Sequence, residues 1–275
     1  MTCLLAAVTA RPHADTTCDA RASLIDGVAI AWHSGAPEDR ESLNRWCEGV
    51  GRPLVTPAPV LPAADDPPAL EDLAVISWNH HLSEGQLVDL IADLRAGRLT
   101  DGRPIRHFVL LLQELYRRGA DVPPFAPTAR SAIAIQPRDP RGPDARDYAT
   151  ALGLSQLYVP SMRNGAQLRE DRGNAIISTE PWSDAFAVEL PLERQRRVAV
   201  GFAIDVKTAR GTERLHVLNA HLEPLGSPSS LWVFRNPRRR QMAAIRRAPL
   251  AAIRPSRRVG RHGSGRRLQY DPARR

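Results

Sequence analysis

Ser77-Trp78-Asn79, Gln113-Glu114, Asp171-Arg172-Gly173-Asn174 and Asn219-Ala220-His221 follow one another along the chain. Each closes or opens an apolar run that reads as a β-strand, so each would deliver its polar side chains to the same end of a sheet. An Asn, a Glu and a His gathered there form a donor set for one hard divalent cation beside a phosphate.

Each motif also has a plainer use. Asn79 can bind a phosphate oxygen or a metal without adding charge, but a strand-end Asn more commonly caps a turn. Glu114 ends the run Phe108-Val109-Leu110-Leu111-Leu112-Gln113. A carboxylate there is costly unless a cation or a partner stands beside it, which favours a ligand. Arg172 and Asn174 can both address an anion while Gly173 permits close backbone approach; a simple hairpin loop is the even alternative. A lone His is more often structural, but His221 gains weight from Asn219 two residues earlier on the same strand face. His80, His81 and His107 have no such company.

The elements that must position these residues are legible as patterns. Strands are expected at Val28–Trp32, Leu73–Trp78, His107–Leu112, Gln156–Val159, Asn174–Ser178, Val198–Val206 and Arg214–Asn219. Helices are expected over 37–50, with Leu43, Trp46 and Val50 on one face, over 84–96, and over 144–152. Residues 123–143 read as loop. Residues 1–52 form an N-terminal extension and 53–71 a linker, since 53–70 hold six prolines. Strands with interposed helices and long loops place residues 72–235 in the α/β (α+β) class as a layered sandwich.

Taken in this order, Trp-Asn, Gln-Glu, Arg-Gly-Asn-Ala and Asn-x-His-Leu resemble the endonuclease/exonuclease/phosphatase superfamily over residues 72–235. The resemblance implies a DNase-I-like four-layer α/β/β/α sandwich and magnesium-dependent phosphoester cleavage by water, with Mn2+ as a substitute for Mg2+. It implies Glu114 and Asn79 as metal ligands and His221 and Asn79 as catalytic residues. It implies Arg172, Asn174 and Asn219 as phosphate-binding residues. Nucleic acid, phospholipid and inositol phosphate are not distinguished as the phosphoester substrate, and a monomer is expected.

The same superfamily carries two later motifs, Gly-Asp-x-Asn and Ser-Asp-His, and neither is present here. Arg266-Arg267-Leu268-Gln269-Tyr270-Asp271 can be encoded as CGG CGA CTT CAA TAC GAC. Read one base later, this gives Gly-Asp-Phe-Asn-Thr-Thr. The expectation is a change of reading frame between about residues 241 and 265. The domain is then incomplete in its C-terminal half, weakly active or inactive, and marked by an unpaired edge and uncovered apolar surface. Residues 236–275 become an out-of-frame or disordered tail.

Charge gives the rival readings. The chain is net +8, but residues 235–275 hold 14 arginines against one acid, Asp271, so the remainder is net −5. An arginine-rich arm could bind nucleic acid non-specifically through counterion release. A catalytically dead interaction protein is the other alternative. Lys207 is the only lysine beside 37 arginines, which points to a GC-rich gene. Cys3, Cys18 and Cys47 are too few for a disulfide scaffold; a Cys18–Cys47 bridge and free thiols are both open. No apolar run reaches membrane-spanning length. The start resembles the end of a signal peptide without its basic leader, which leaves the compartment open between cytoplasmic and, if the true start lies upstream, exported.

Overall fold

The computed structural model describes residues 23–25, 27–34, 36–56, 66–81, 86–128, 132–133, 142–224 and 237–252. The chain is mixed α/β, built on two facing sheets. One contains β1 (Ser23–Ile25), β2 (Val28–Ser34), β9 (Ser183–Glu189), β10 (Val198–Thr208) and β11 (Gly211–Asn219), in that spatial order. The other runs β3 (Leu54–Thr56), β7 (Ser155–Asn164), β8 (Glu170–Ser178), β5 (His107–Arg118), β4 (Leu73–Asn79), with β6 (Ala132–Ile133) paired to β7.

Alternation along the strands builds the layers. Val109, Leu157, Val159 and Ile176 from one sheet meet Val198, Val200, Phe202, Ile204 and Val217 from the other in the central core. The intervening residues Phe108, Leu110, Leu112, Ala175 and Ile177 face outward. There they are covered by α2 (Leu87–Arg95) through Leu87, Ile91 and Leu94, and by α3 (Ala145–Leu152) through Tyr148. On the far side, Phe186, Val188 and Ala199 pack against Ala244 and Ile245 of α4 (Pro237–Ala252). Helix α3 starts where its sequence says it should. The Asp144 side chain accepts from Arg146 N and Asp147 N, Asp147 returns the bond to Asp144 N, and Gly153 closes the helix at φ 58°.

The domain boundaries drawn from sequence need correction. The segment 1–52 is not an appendage in its described part, because β2 pairs in parallel with β9 inside a sheet. Nor is 53–71 only a linker, because Leu54–Thr56 pairs with β7. Between them lies α1 (Arg40–Cys47), which buries Leu43 and Trp46, and Cys47 is disulfide-bonded. Parallel pairing with a strand some 150 positions away leaves no local trace, and a three-residue edge strand among prolines reads as loop.

A buried carboxylate fastens this segment to the rest. Asp171 accepts from both Arg117 Nε at 3.1 Å and Arg117 Nη2, from Tyr158 Oη at 2.7 Å and from Gly51 N at 2.8 Å. Arg163, equally buried, donates to the carbonyls of Gly49, Pro123, Pro124 and Leu168. Burial and the Asp171 charge push the Tyr158 hydroxyl well above the usual phenol range.

Two further expectations change. The tail expected to be disordered over 236–275 is helical and docked over Pro237–Ala252: Gln241 Oε1 accepts from Glu223 N at 2.8 Å, and Arg240 pairs with Glu193 at 2.7 Å. Residues 253–275 lie outside the described residues. Strand β9 fell on a stretch with no expected element.

Among the described residues β4 and β11 are edge strands on the same side of the sandwich. No strand among the described residues covers the inward face of β4, and Val75 is 52% exposed there.

Candidate functional site

Strand β5 carries an irregularity at its most polar point. Leu112 pairs with Ala175 and Leu115 with Gly173, so Gln113 and Glu114 together oppose the single residue Asn174. This is a β-bulge, and Glu114 adopts a left-handed backbone with φ 55°. A non-glycine residue there costs on the order of 1 kcal/mol or more. The geometry explains the placement. Leu110, Leu112 and Leu115 stay on the outward face, while Gln113 and Glu114 both turn toward the opposite sheet.

Glu114 faces a small, solvent-open cleft, with room for about one water-sized group, shared with Arg172, Asn174, Arg197 and His221. Its carboxylate lies 3.7 Å from Arg172 Nη1 and 3.6 Å from His221 Nδ1, outside hydrogen-bond reach of either. Neighbouring backbone is held close by Gly173, where an added Cβ would stand 2.0 Å from Val159 O. A second bulge, between Pro160 and Met162 of β7, brings Ser161 to the cleft wall.

The electrostatics favour cations on the wall and a neutral imidazole. Burial and the Arg197 charge bring the His221 pKa down to about 4, against the opposing pull of Glu114. Arg172 and Arg197 are both lowered, chiefly by burial, yet a guanidinium remains protonated at any ordinary pH. Glu114 is, among the described residues, the one carboxylate lining this cleft. Among the described residues, no cluster of three or more His, Cys, Asp or Glu could enclose a metal ion.

Four of the six residues singled out in the sequence thus come together: Glu114, Arg172, Asn174 and His221. Asn174 also donates to Val198 O of the facing sheet at 2.6 Å. Asn219 does not line the cleft. It is buried, with Nδ2 donating to Leu112 O and Ala175 O at 2.8 Å each, and Oδ1 accepting from Gln113 Nε2 at 2.7 Å. Those carbonyls belong to the pair bordering the bulge, so Asn219 positions Glu114 rather than meeting an anion. Asn79 pairs opposite Gln113 at the same sheet end, but it is exposed and its Oδ1 accepts from His81 N at 3.0 Å. That is the turn-capping use.

Sequence reading missed Arg197 and Glu223. Arg197 Nε lies 3.6 Å from Glu223 Oε2, which burial pushes above the usual carboxylate range. Arg194-Gln195-Arg196-Arg197 looks like one solvated basic run, but its members divide. Arg196 is buried, bonded to Glu189 at 2.6 Å and to the carbonyls of Pro160 and Ser161 at 3.1 Å each, while Arg197 meets the cleft. The available signal was position, two residues past His221 for Glu223 and the strand start of β10 for Arg197. Of the incidental histidines, His80 lies buried between the rings of Trp78 and Tyr148, and His107 meets Glu180 at 2.7 Å.

No family model, curated protein or solved structure matches the chain. Among the described residues no helix is long and apolar enough to cross a membrane.

Proposed function

We propose that the chain is a magnesium-dependent phosphoester hydrolase of the endonuclease/exonuclease/phosphatase type, with slow turnover. The observation that carries this reading is Glu114, held on a strained bulge and facing a cleft with two guanidiniums and a neutral imidazole. Strain of that kind persists where a side chain must be aimed, and a lone carboxylate among cations suits neither packing nor solubility. The layered arrangement, with helices outside two facing sheets, supports a DNase-I-like sandwich.

The donor set fits Mg2+, or Mn2+ in its place. Magnesium is commonly held through one or two carboxylates, with water and substrate phosphate completing its shell. Glu114 would supply that carboxylate, since its charged neighbours stand beyond hydrogen-bond distance. When bound, the cation supplies charge neutralisation at a phosphoryl oxygen and lowers the pKa of water. The chain's own residues do the rest. Arg172 and the Asn174 amide offer donors to phosphate oxygens. His221, neutral at pH 7, can accept a proton or hydrogen bond at a ring nitrogen. Among the described residues no second carboxylate lines the cleft to act as general base, which limits the rate.

The test is hydrolysis of p-nitrophenyl and bis-p-nitrophenyl phosphate by the purified full chain. Expected is slow turnover that requires Mg2+ or Mn2+, stops with EDTA and vanishes in Glu114→Ala. Turnover that survives that substitution, or absence of both turnover and Mg2+ binding, overturns the proposal.

A further inference from the structure

We propose that Arg172 and Arg197 form a two-guanidinium clamp that selects a terminal, dianionic phosphomonoester over a phosphodiester. The inference rests on reading the cleft as a phosphate site, and it adds a residue, Arg197, and a substrate class.

Both arginines line the same cleft as Glu114, but they arrive from different sheets, Arg172 on β8 and Arg197 at the entry to β10. Each side chain is largely buried, so each guanidinium is held in place rather than waving in solvent. Placing two such cations together costs energy, because like charges repel. The arrangement is stable only if anions share the space. Glu114 stands nearest Arg172 at 3.7 Å, and Glu223 stands nearest Arg197 at 3.6 Å. Neither distance is a hydrogen bond.

Donors are therefore left over. Arg172 Nε is buried and has no hydrogen-bond partner. In the amide orientation that satisfies both, the Gln195 oxygen accepts from Arg197 Nε at 3.2 Å and from Arg197 Nη2, which uses two of the five guanidinium N–H groups and leaves three. Its position is fixed from behind, since the adjacent Arg196 is tied to Glu189 and to the carbonyls of Pro160 and Ser161.

The ligand follows from the donors. A guanidinium is best matched by two acceptor oxygens side by side. A phosphodiester at neutral pH has two unesterified oxygens and a single negative charge, enough for one such contact. A phosphomonoester has three strong acceptor oxygens and a charge of about −1.5 to −2 at pH 7, enough to serve both arginines at once. The second guanidinium is the feature that distinguishes the two esters.

The probes are methyl phosphate and dimethyl phosphate, titrated by calorimetry into the metal-free full chain at pH 7.5. Expected is binding of methyl phosphate at least about tenfold tighter than dimethyl phosphate. Arg197→Gln should weaken methyl phosphate about tenfold or more and leave dimethyl phosphate within about twofold, while the exposed Arg194→Gln changes neither. Equal affinity for the two esters, or an Arg197→Gln chain that binds methyl phosphate like the parent, overturns the clamp. The ester comparison needs no variant, so a misfolded Arg197→Gln does not rescue it. Because no metal is present, clamp and hydrolase fail separately: selective dianion binding with neither turnover nor Mg2+ binding removes the hydrolase, and turnover with equal ester binding removes the clamp.

Discussion

Asn219 and Gln113 meet across the two sheets, Gln113 Nε2 donating to Asn219 Oδ1 at 2.7 Å, while Asn219 Nδ2 closes onto Leu112 O and Ala175 O. One carboxamide thus satisfies three buried groups and fixes the strand immediately before Glu114. Asn219→Ala removes the donor to both carbonyls, while Gln113 Nε2 keeps Leu111 O and Ser77 Oγ, and should destabilise the protein by about 1–3 kcal/mol. Urea unfolding measures this. A change under about 0.5 kcal/mol would mean that water or a neighbour replaces the amide at little cost.

Asp171 is the acceptor for Arg117, Tyr158 and Gly51 N, and Arg117 is fully buried. Removing the carboxylate leaves the buried Arg117 cation with the half-exposed Asp121, at 3.2 Å, as its remaining counter-charge. Asp171→Ala should cost about 3–5 kcal/mol, and an added Arg117→Met should recover much of that loss. Hydrogen exchange should show Gly51 and its neighbours losing protection first, because their anchor is gone.

The bulge makes an inverted prediction about glycine. In an ordinary strand, Ala is more stable than Gly by about 0.5–1 kcal/mol. At φ 55° the order reverses, and Glu114→Gly should be more stable than Glu114→Ala by about 1 kcal/mol. Thermal unfolding of the pair isolates the backbone contribution, because both variants lack the carboxylate. The ordinary order would show that the strand relaxes to a regular ladder once Glu114 is removed.

His221 links stability to acid. Its pKa falls from 6.5 to about 4 on folding, so between those values the unfolded chain holds a proton that the folded chain does not. Stability is therefore fully present above about pH 6.5 and declines as pH drops toward 4, by roughly 3 kcal/mol at most. His221→Asn should flatten this part of the profile in the metal-free protein. Imidazole NMR should find the ring still neutral at pH 5.5.

The sequence carried the strands of the central sandwich because their apolar alternation is local. Phe108 to Leu112 and Val198 to Val206 need no partner to be recognised. It singled out Glu114, Arg172, Asn174 and His221, which the fold brings to one cleft, because polar residues bordering apolar runs stand out locally. What it hid was conformational or long-range. The bulge adds no unusual residue, so β5 seemed to stop at Leu112 when it continues to Arg118. Asn79 and Asn219 looked equivalent to Asn174, since only the fold decides whether an amide meets a turn, a carbonyl pair or a cleft. Arg196 and Arg197 are neighbours of identical type with opposite fates. The docking of α4 was hidden by its arginines, because a small apolar stripe of Ala244 and Ile245 suffices to seat it.

The paired inward aim of Gln113 and Glu114 has a consequence for how this strand can change over time. Strand β5 counts in twos up to Leu112, skips one beat, and resumes in step at Leu115, so its chemistry depends on parity more than on residue type. Replacements at Glu114 keep the count and leave the core intact, whereas Gln113 is also tied to Asn219. Losing the Glu114 codon would erase the extra beat, keep Gln113 on its inward beat and restore an unbroken ladder. The chemistry at Glu114 is therefore fragile to a single-residue deletion that the strand around it can absorb.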